Sequence, residues 1–142
     1  VQSIPGIDGQ KMSKSYNNTI PLFAEDKLVR KQVMRIVTDS KSPEDPKDPD
    51  GCNLYNIYKF FAPQDRLEDV RQCYIQGGLA YGELKKELAD LILKYFNDAR
   101  IKYNELMADR GYLDDVLADG AQRARAIAQP ILKKTRQAIG IE

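Results

Sequence analysis

Two lysines three positions apart, Lys11 and Lys14, stand in a stretch with almost no helix or strand character: Gly6-Ile7-Asp8-Gly9-Gln10-Lys11-Met12-Ser13-Lys14-Ser15-Tyr16-Asn17-Asn18. On a loop of small residues, ammonium groups at that spacing can converge on one polyanionic group. The hydroxyls of Ser13 and Ser15, with free backbone N–H groups, can complete the cradle. The ligand that suits such a loop is a phosphate or pyrophosphate. Lysines on polar loops are also commonly no more than solvated, so the spacing alone leaves both readings standing.

Composition narrows the chemistry. The 142 residues contain no histidine, which removes the commonest general base, the usual zinc ligand and any Ser-His-Asp arrangement. Cys52 and Cys73 fit no metal spacing and read as free, reduced thiols. Asp48 and Asp50 lack the twelve-residue loop and terminal glutamate of a calcium site, so no metal site is assigned. A formal net charge of +1 gives no bulk attraction to nucleic acid, and any RNA contact has to come from a local basic patch. With 42% hydrophobic and 30% charged residues the chain reads as globular and one domain long. No apolar run approaches a membrane span and no signal peptide opens the chain, so no membrane role and a cytoplasmic location are expected. The first residue is Val1 and not methionine, and the chain is taken as the C-terminal piece of a longer protein.

The elements that must position the lysines are helical. The stretch from Val1 to Ile4 reads as the tail of a strand, and Pro5-Gly6 and Asp8-Gly9 as turns. Without a sheet to join, the first twenty or so residues are expected to be loosely held. Val29, Val33, Ile36 and Val37 recur at helical spacing and predict a helix from Asp26, as N-cap, to Val37. Pro43, Pro46 and Pro49 exclude a helix over 38–53 and favour an extended, polyproline-like path; a loop of that length is either functional or a surface excursion. Asn53 can cap a short helix, Leu54 to Phe61, and Pro63 can open another that Gly77-Gly78 stops. Tyr55, Tyr58, Phe60 and Phe61 read as core packing in preference to a base-stacking platform. One long helix is predicted from Tyr81 to Arg110, ended by Gly111, and a last one from Asp114 to Ile139. In that last helix Arg123, Arg125, Lys133, Lys134 and Arg136 offer one candidate RNA-facing surface, a solvated face being the alternative. The fold class is all-α, a bundle of about five helices with an N-terminal polar loop.

The literal string Lys11-Met12-Ser13-Lys14-Ser15 is the signature loop of class I aminoacyl-tRNA synthetases. With Pro5-Gly6-Ile7-Asp8-Gly9-Gln10 before it and Tyr16-Asn17-Asn18-Thr19-Ile20 after it, the stretch resembles the tyrosyl/tryptophanyl branch of that class. Met34 to Asp39, Asn53-Leu54-Tyr55-Asn56-Ile57-Tyr58, Gly82 to Leu91 and Leu117-Ala118-Asp119-Gly120-Ala121 resemble the bacterial-type tryptophanyl-tRNA synthetase family, and the likeness covers nearly the whole chain. Tyrosyl enzymes typically carry a further RNA-binding module after the helices, so an end at Glu142 favours tryptophan.

The resemblance implies a function and a division of the chain. Residues 1–20 would be the end of a Rossmann-type catalytic domain, carrying the signature loop left over from it, and residues 21–142 the helical C-terminal domain that receives the anticodon end of the tRNA. Lys14 and Lys11 would contact the ATP phosphates, Lys14 on the departing pyrophosphate, within an ATP site made by Lys11, Met12, Ser13, Lys14 and Ser15. The implied substrates and partners are ATP with Mg2+, tryptophan and tRNA(Trp), in a homodimeric full-length enzyme. No residue is assigned to tRNA contact. The histidine motif that opens the catalytic fold of this class is missing, so the fragment alone is expected to be inactive and to hold no bound cofactor. The alternatives are a tyrosyl-tRNA synthetase fragment and a non-catalytic helical interaction module whose loop merely looks like the signature.

Overall fold

Valines four residues apart give the first helix its buried face. In the computed structural model, which describes residues 4–141, Val29 and Val33 of α1 (Asp26–Met34) are fully buried. They pack against α4 (Tyr81–Tyr95), whose Leu84, Leu88, Ala89 and Ile92 repeat at three- and four-residue spacing and are buried with them. Arg30 and Asp90 pair at 2.6 Å along the rim, and the Lys85 ammonium caps the end of α1 on the Met34 carbonyl at 3.3 Å. Between them in sequence come α2 (Asn53–Tyr58) and α3 (Gln64–Gln76), which add Leu54, Tyr55, Ile57, Tyr58, Val70 and Tyr74 to the same core. Each such side chain contributes about 1.5–3 kcal/mol when removed from water. The aromatic residues of α2 are thus core, as their spacing predicts; Phe61 just beyond the helix is partly buried against them, and Phe60 is 46% exposed.

The remaining helices are α5 (Asn97–Ala108) and α6 (Arg110–Ala138). The described residues therefore form six α-helices, one 3-10 turn at Lys14–Tyr16 and a single isolated bridge between Pro5 and Lys11. None of these helices is long and apolar enough to cross a membrane. The chain divides into two compact units, residues 1–100 and 101–142. Residues 1–3, on which most of the expected strand falls, lie outside the described residues.

Several boundaries differ from the expectation, each for a local reason. Glu25, not Asp26, holds the N-cap position of α1. That helix stops at Met34 because the Val37 amide turns away to bond the Ile7 carbonyl at 2.8 Å; Ile36 stays buried while Val37 is 60% exposed. Asn53 is the first residue of α2, with Cys52 at the cap, and its side chain donates to the Gly6 carbonyl at 2.8 Å instead of capping the helix. Pro63 occupies the N-cap of α3 and not its first turn. The single long helix after Tyr81 is broken twice, at Phe96 and at Asp109. Phe96, at φ −95° and ψ 8°, interrupts the helix although its amide still bonds Ile92 O and its carbonyl Arg100 N–H, and its ring meets Phe61 edge-on at 6.2 Å; the Asp109 carboxylate accepts from the Tyr112 amide at 3.0 Å and starts α6. Gly111, expected as a stop, is inside α6.

The proline-rich segment 38–53 is not an extended path. It folds back around Lys47, whose ammonium donates to the carbonyls of Ser42, Pro43 and Asp45 at 2.7, 3.1 and 2.8 Å. Lys47 is 4% exposed, and its charge also lies 5.5 Å from the Tyr81 ring centre. The Lys47 amide bonds Tyr74 O at 2.6 Å and Gly78 bonds Pro43 O at 2.7 Å, so the segment is pinned to the end of α3. Gly77 and Gly78 stop α3 with φ of 90° and 97°, as the sequence suggests.

Candidate phosphate-binding loop

The loop that carries Lys11 and Lys14 is anchored at both ends, against the expectation that it would be loosely held. Gly9, at φ 83°, turns the chain so that Gly6 N–H reaches Gln10 O at 2.7 Å and Met12 N–H reaches Ile4 O at 3.0 Å. Ile7, buried in the core, bonds outward through its carbonyl to Val37 and through its amide to Asn18 O at 2.9 Å. Asn53 of α2 holds the Gly6 carbonyl, and Ile20 is buried on the far side of the loop. Hydrogen bonds to α2 and to the segment after α1 thus hold the loop.

Asn18 closes the neck. Its side chain is 1% exposed, and all of its polar atoms are engaged. Oδ1 accepts from the Ser13 amide at 2.7 Å, while Nδ2 donates to Asp8 Oδ1 at 2.8 Å and to the Lys11 carbonyl at 3.1 Å. Gly6 lies directly beneath, and a Cβ there would stand 2.4 Å from the Asn18 side chain, so no larger residue fits. Asp8 Oδ1 also accepts from the Gln10 amide at 3.0 Å, which ties the first turn to the same cluster.

Above the neck the signature residues separate by role. Met12 is partly buried against the core and lines an apolar hollow with Ile20, Leu22, Ile57 and Phe61, so its side chain anchors the loop from below. Ser13 caps the 3-10 turn Lys14–Tyr16, its Oγ accepting from the Ser15 amide at 3.2 Å; its own hydroxyl proton is left to point elsewhere. Asn17 ends that turn in the left-handed region at φ 52°. Most backbone amides of the loop are thus engaged internally, fewer being available to a ligand than the sequence suggests. Lys11, Lys14 and Ser15 are exposed, and neither ammonium has a hydrogen-bond or ion-pair partner among the described residues. Two unpaired cations on a fixed turn suit a phosphate chain better than a flexible loop would, because less ordering accompanies binding.

Beside the loop is a cleft of about 500 Å³ lined by Asp8, Gly9, Thr38, Asp39, Asp48 and Asn53. Thr38, Asp39, Asp48, Gly51, Cys52 and Asn53 of segment 38–53 form one of its walls. Tyr81 donates to Asp39 at 2.9 Å; burial, and then that carboxylate, push the phenol above its ordinary pKa. Asn18, Asn53 and Gly6 are the residues that sequence reasoning missed. The signal was present only as an asparagine after the signature string and a glycine before it.

A helical body carrying an anchored Lys-Met-Ser-Lys-Ser turn defines the class: the chain belongs to the family described as tRNA synthetases class I (W and Y), which matches residues 1–97. A tryptophan–tRNA ligase of Rhodopirellula baltica is 49% identical over 138 residues, 97% of this chain and 43% of the relative. One from Fusobacterium nucleatum is 46% identical over 97% of this chain and 42% of its own length. The crystal structure of tryptophanyl-tRNA synthetase from Campylobacter jejuni, complexed with ADP and tryptophan, superposes with a TM-score of 0.87 at 44% identity; it is covered over 99% of this chain and 44% of that one. The chain spans less than half the length of the relatives it matches.

Proposed function

We propose that this chain is the C-terminal part of a tryptophan–tRNA ligase, and that its anchored loop handles the phosphates of ATP. The observation that carries the reading is the pair of exposed, unpaired ammonium groups of Lys11 and Lys14 on a turn whose backbone is fixed from beneath. In the reaction of such an enzyme the tryptophan carboxylate attacks the α-phosphorus of ATP, the bond to the β-phosphate oxygen breaks, and pyrophosphate leaves. The terminal ribose hydroxyl of tRNA(Trp) then displaces AMP from the adenylate. Little covalent work falls to the protein, so positioning and charge stabilisation dominate.

In this scheme Lys14 follows the charge that develops on the departing pyrophosphate and Lys11 holds the phosphate chain. Ser13 and Ser15 contribute hydroxyl donors, and Met12 sets the height of the turn. A charge-assisted contact of about 1.5–3 kcal/mol, made only in the transition state, corresponds to roughly a 10- to 150-fold rate factor. Mg2+ would arrive on the nucleotide, bound mainly through its phosphates. Residues 1–20 belong in this reading to the end of the catalytic domain and residues 21–142 to the helical domain at the anticodon end, with the basic residues of α6 as its candidate tRNA-facing surface. The full-length protein would act as a cytoplasmic homodimer.

The test is amino-acid-dependent exchange of pyrophosphate into ATP. The full-length protein should support exchange with tryptophan and not with tyrosine, and the isolated 142-residue chain should support neither. Exchange driven by tyrosine would assign the chain to the tyrosine branch. No exchange by the full-length protein with either amino acid would leave a helical interaction module.

A further inference from the structure

Asn18 has no exposed surface with which to touch a substrate, yet it joins more of the loop than any signature residue does. Its amide spans three points of the chain: the carboxylate of Asp8 before the lysines, the backbone carbonyl of Lys11, and the backbone amide of Ser13 next to Lys14. Its own carbonyl takes the Ile7 amide, and Ile7 is bonded on to Val37. The carboxamide is the only common side chain of this shape that offers a donor to two acceptors and an acceptor to one donor at once. An aspartate would present acceptors to Asp8 and to Lys11 O, and a leucine would leave all three partners without hydrogen bonds in a buried neck.

We propose that Asn18 is the positioning residue of the lysine loop: it fixes the spacing of the Lys11 and Ser13 backbones, and through them holds the ammonium groups of Lys11 and Lys14 to one phosphate chain. Asp8 is its counterpart, orienting the amide so that Oδ1 faces Ser13. Gly6 is required because any side chain there would occupy the space of the clasp. This proposal rests on the phosphate-handling reading of the loop, and the experiment separates the two.

Full-length protein carrying Asn18→Asp is compared with wild type and with the swapped pair Asp8→Asn/Asn18→Asp, all three nearly equal in side-chain volume. Backbone amide exchange is followed without substrate, and pyrophosphate exchange is followed with tryptophan and ATP. In Asn18→Asp two carboxylates meet where 2.8 Å now separates a donor from an acceptor. Ser13 amide exchange should speed up, and the exchange kcat should fall about 10- to 100-fold with the KM for tryptophan within about twofold. The swapped pair restores a donor facing an acceptor between positions 8 and 18 while a carboxylate still faces the Lys11 carbonyl, so any recovery of the two losses is partial and marks the share carried by the 8–18 contact. Unchanged Ser13 protection and kcat in the single variant would overturn the proposal. So would loss of protection at Val29 and Tyr58 together with Ser13, since Asn18 would then be a stability residue only. If wild type itself lacks tryptophan-dependent exchange, the phosphate reading falls, and with it the catalytic half of this proposal, whatever the amide data show for the clasp.

Discussion

Lys11 and Lys14 can share one anion only if the backbone between them holds its shape, and the bonds from Asn18 to Asp8, Lys11 and Ser13 supply that constraint. A second polar cluster shows the same dependence of charge on surroundings. Glu87 receives both Arg66 nitrogens at 2.9 Å and the Tyr58 hydroxyl at 2.6 Å. The Arg66 hydrogen bond, ahead of burial acting the other way, holds the Glu87 carboxyl below its usual 4.5. A carboxyl with a depressed folded-state pKa contributes stability that is complete above about pH 4.5 and is lost as pH falls through the lower, folded value. The thermal midpoint should therefore drop on acidification below about pH 4.5, and Glu87→Gln should flatten that slope while lowering the midpoint at neutral pH. An unchanged acid slope in the variant would place the titrating group elsewhere. The lysines were legible in the sequence because their spacing is local. Asn18 and Asn53 were not, since their partners lie up to 10 and 47 residues away and nothing in a window around either residue reveals them.

The helices that position the loop were legible where burial is periodic. Val29 and Val33 in α1, and Leu84, Leu88 and Ile92 in α4, repeat at the spacing that the packed face requires, and both helices form where that pattern lies. The breaks at Phe96 and Asp109 escaped because neither is a glycine or proline; at Phe96 the dihedrals deviate where its ring meets Phe61, and at Asp109 a carboxylate takes a backbone amide. Glycine in fact has opposite meanings in neighbouring elements. Gly77 ends α3 at φ 90°, and a Cβ there would sit 2.1 Å from the Glu44 carbonyl oxygen. Gly82 lies in the first turn of α4 with nothing within 4 Å of such an atom. Gly77→Ala should cost roughly 1–3 kcal/mol in denaturant unfolding, whereas Gly82→Ala should be neutral or stabilising by up to about 1 kcal/mol. Equal effects would mean that the close approach of segment 38–53 to α3 does not constrain the fold.

At the scale of the molecule, the two compact units differ in how they bury apolar surface. Residues 1–100 hold the whole buried cluster, while α6 has no buried residue and leaves Leu117, Ile127 and Ile131 more than half exposed. Leu88→Ala should therefore cost about 2–5 kcal/mol of stability, and Leu117→Ala less than about 0.5 kcal/mol in the same chain. A chain ending at Ala108 should keep the amide protection of Val29, Tyr58 and Leu88, and loss of that protection would show that residues 109–142 support the core. The lysine loop belongs to the first unit, and its role there is the central claim. The most direct measurement of it is the single-turnover rate of tryptophanyl-adenylate formation by the full-length protein carrying Lys14→Ala, with tryptophan affinity measured alongside. The rate should fall roughly 10- to 150-fold while tryptophan affinity stays within about twofold of wild type. An unchanged rate, or a loss confined to tryptophan affinity, would contradict the assignment of this loop to the departing pyrophosphate.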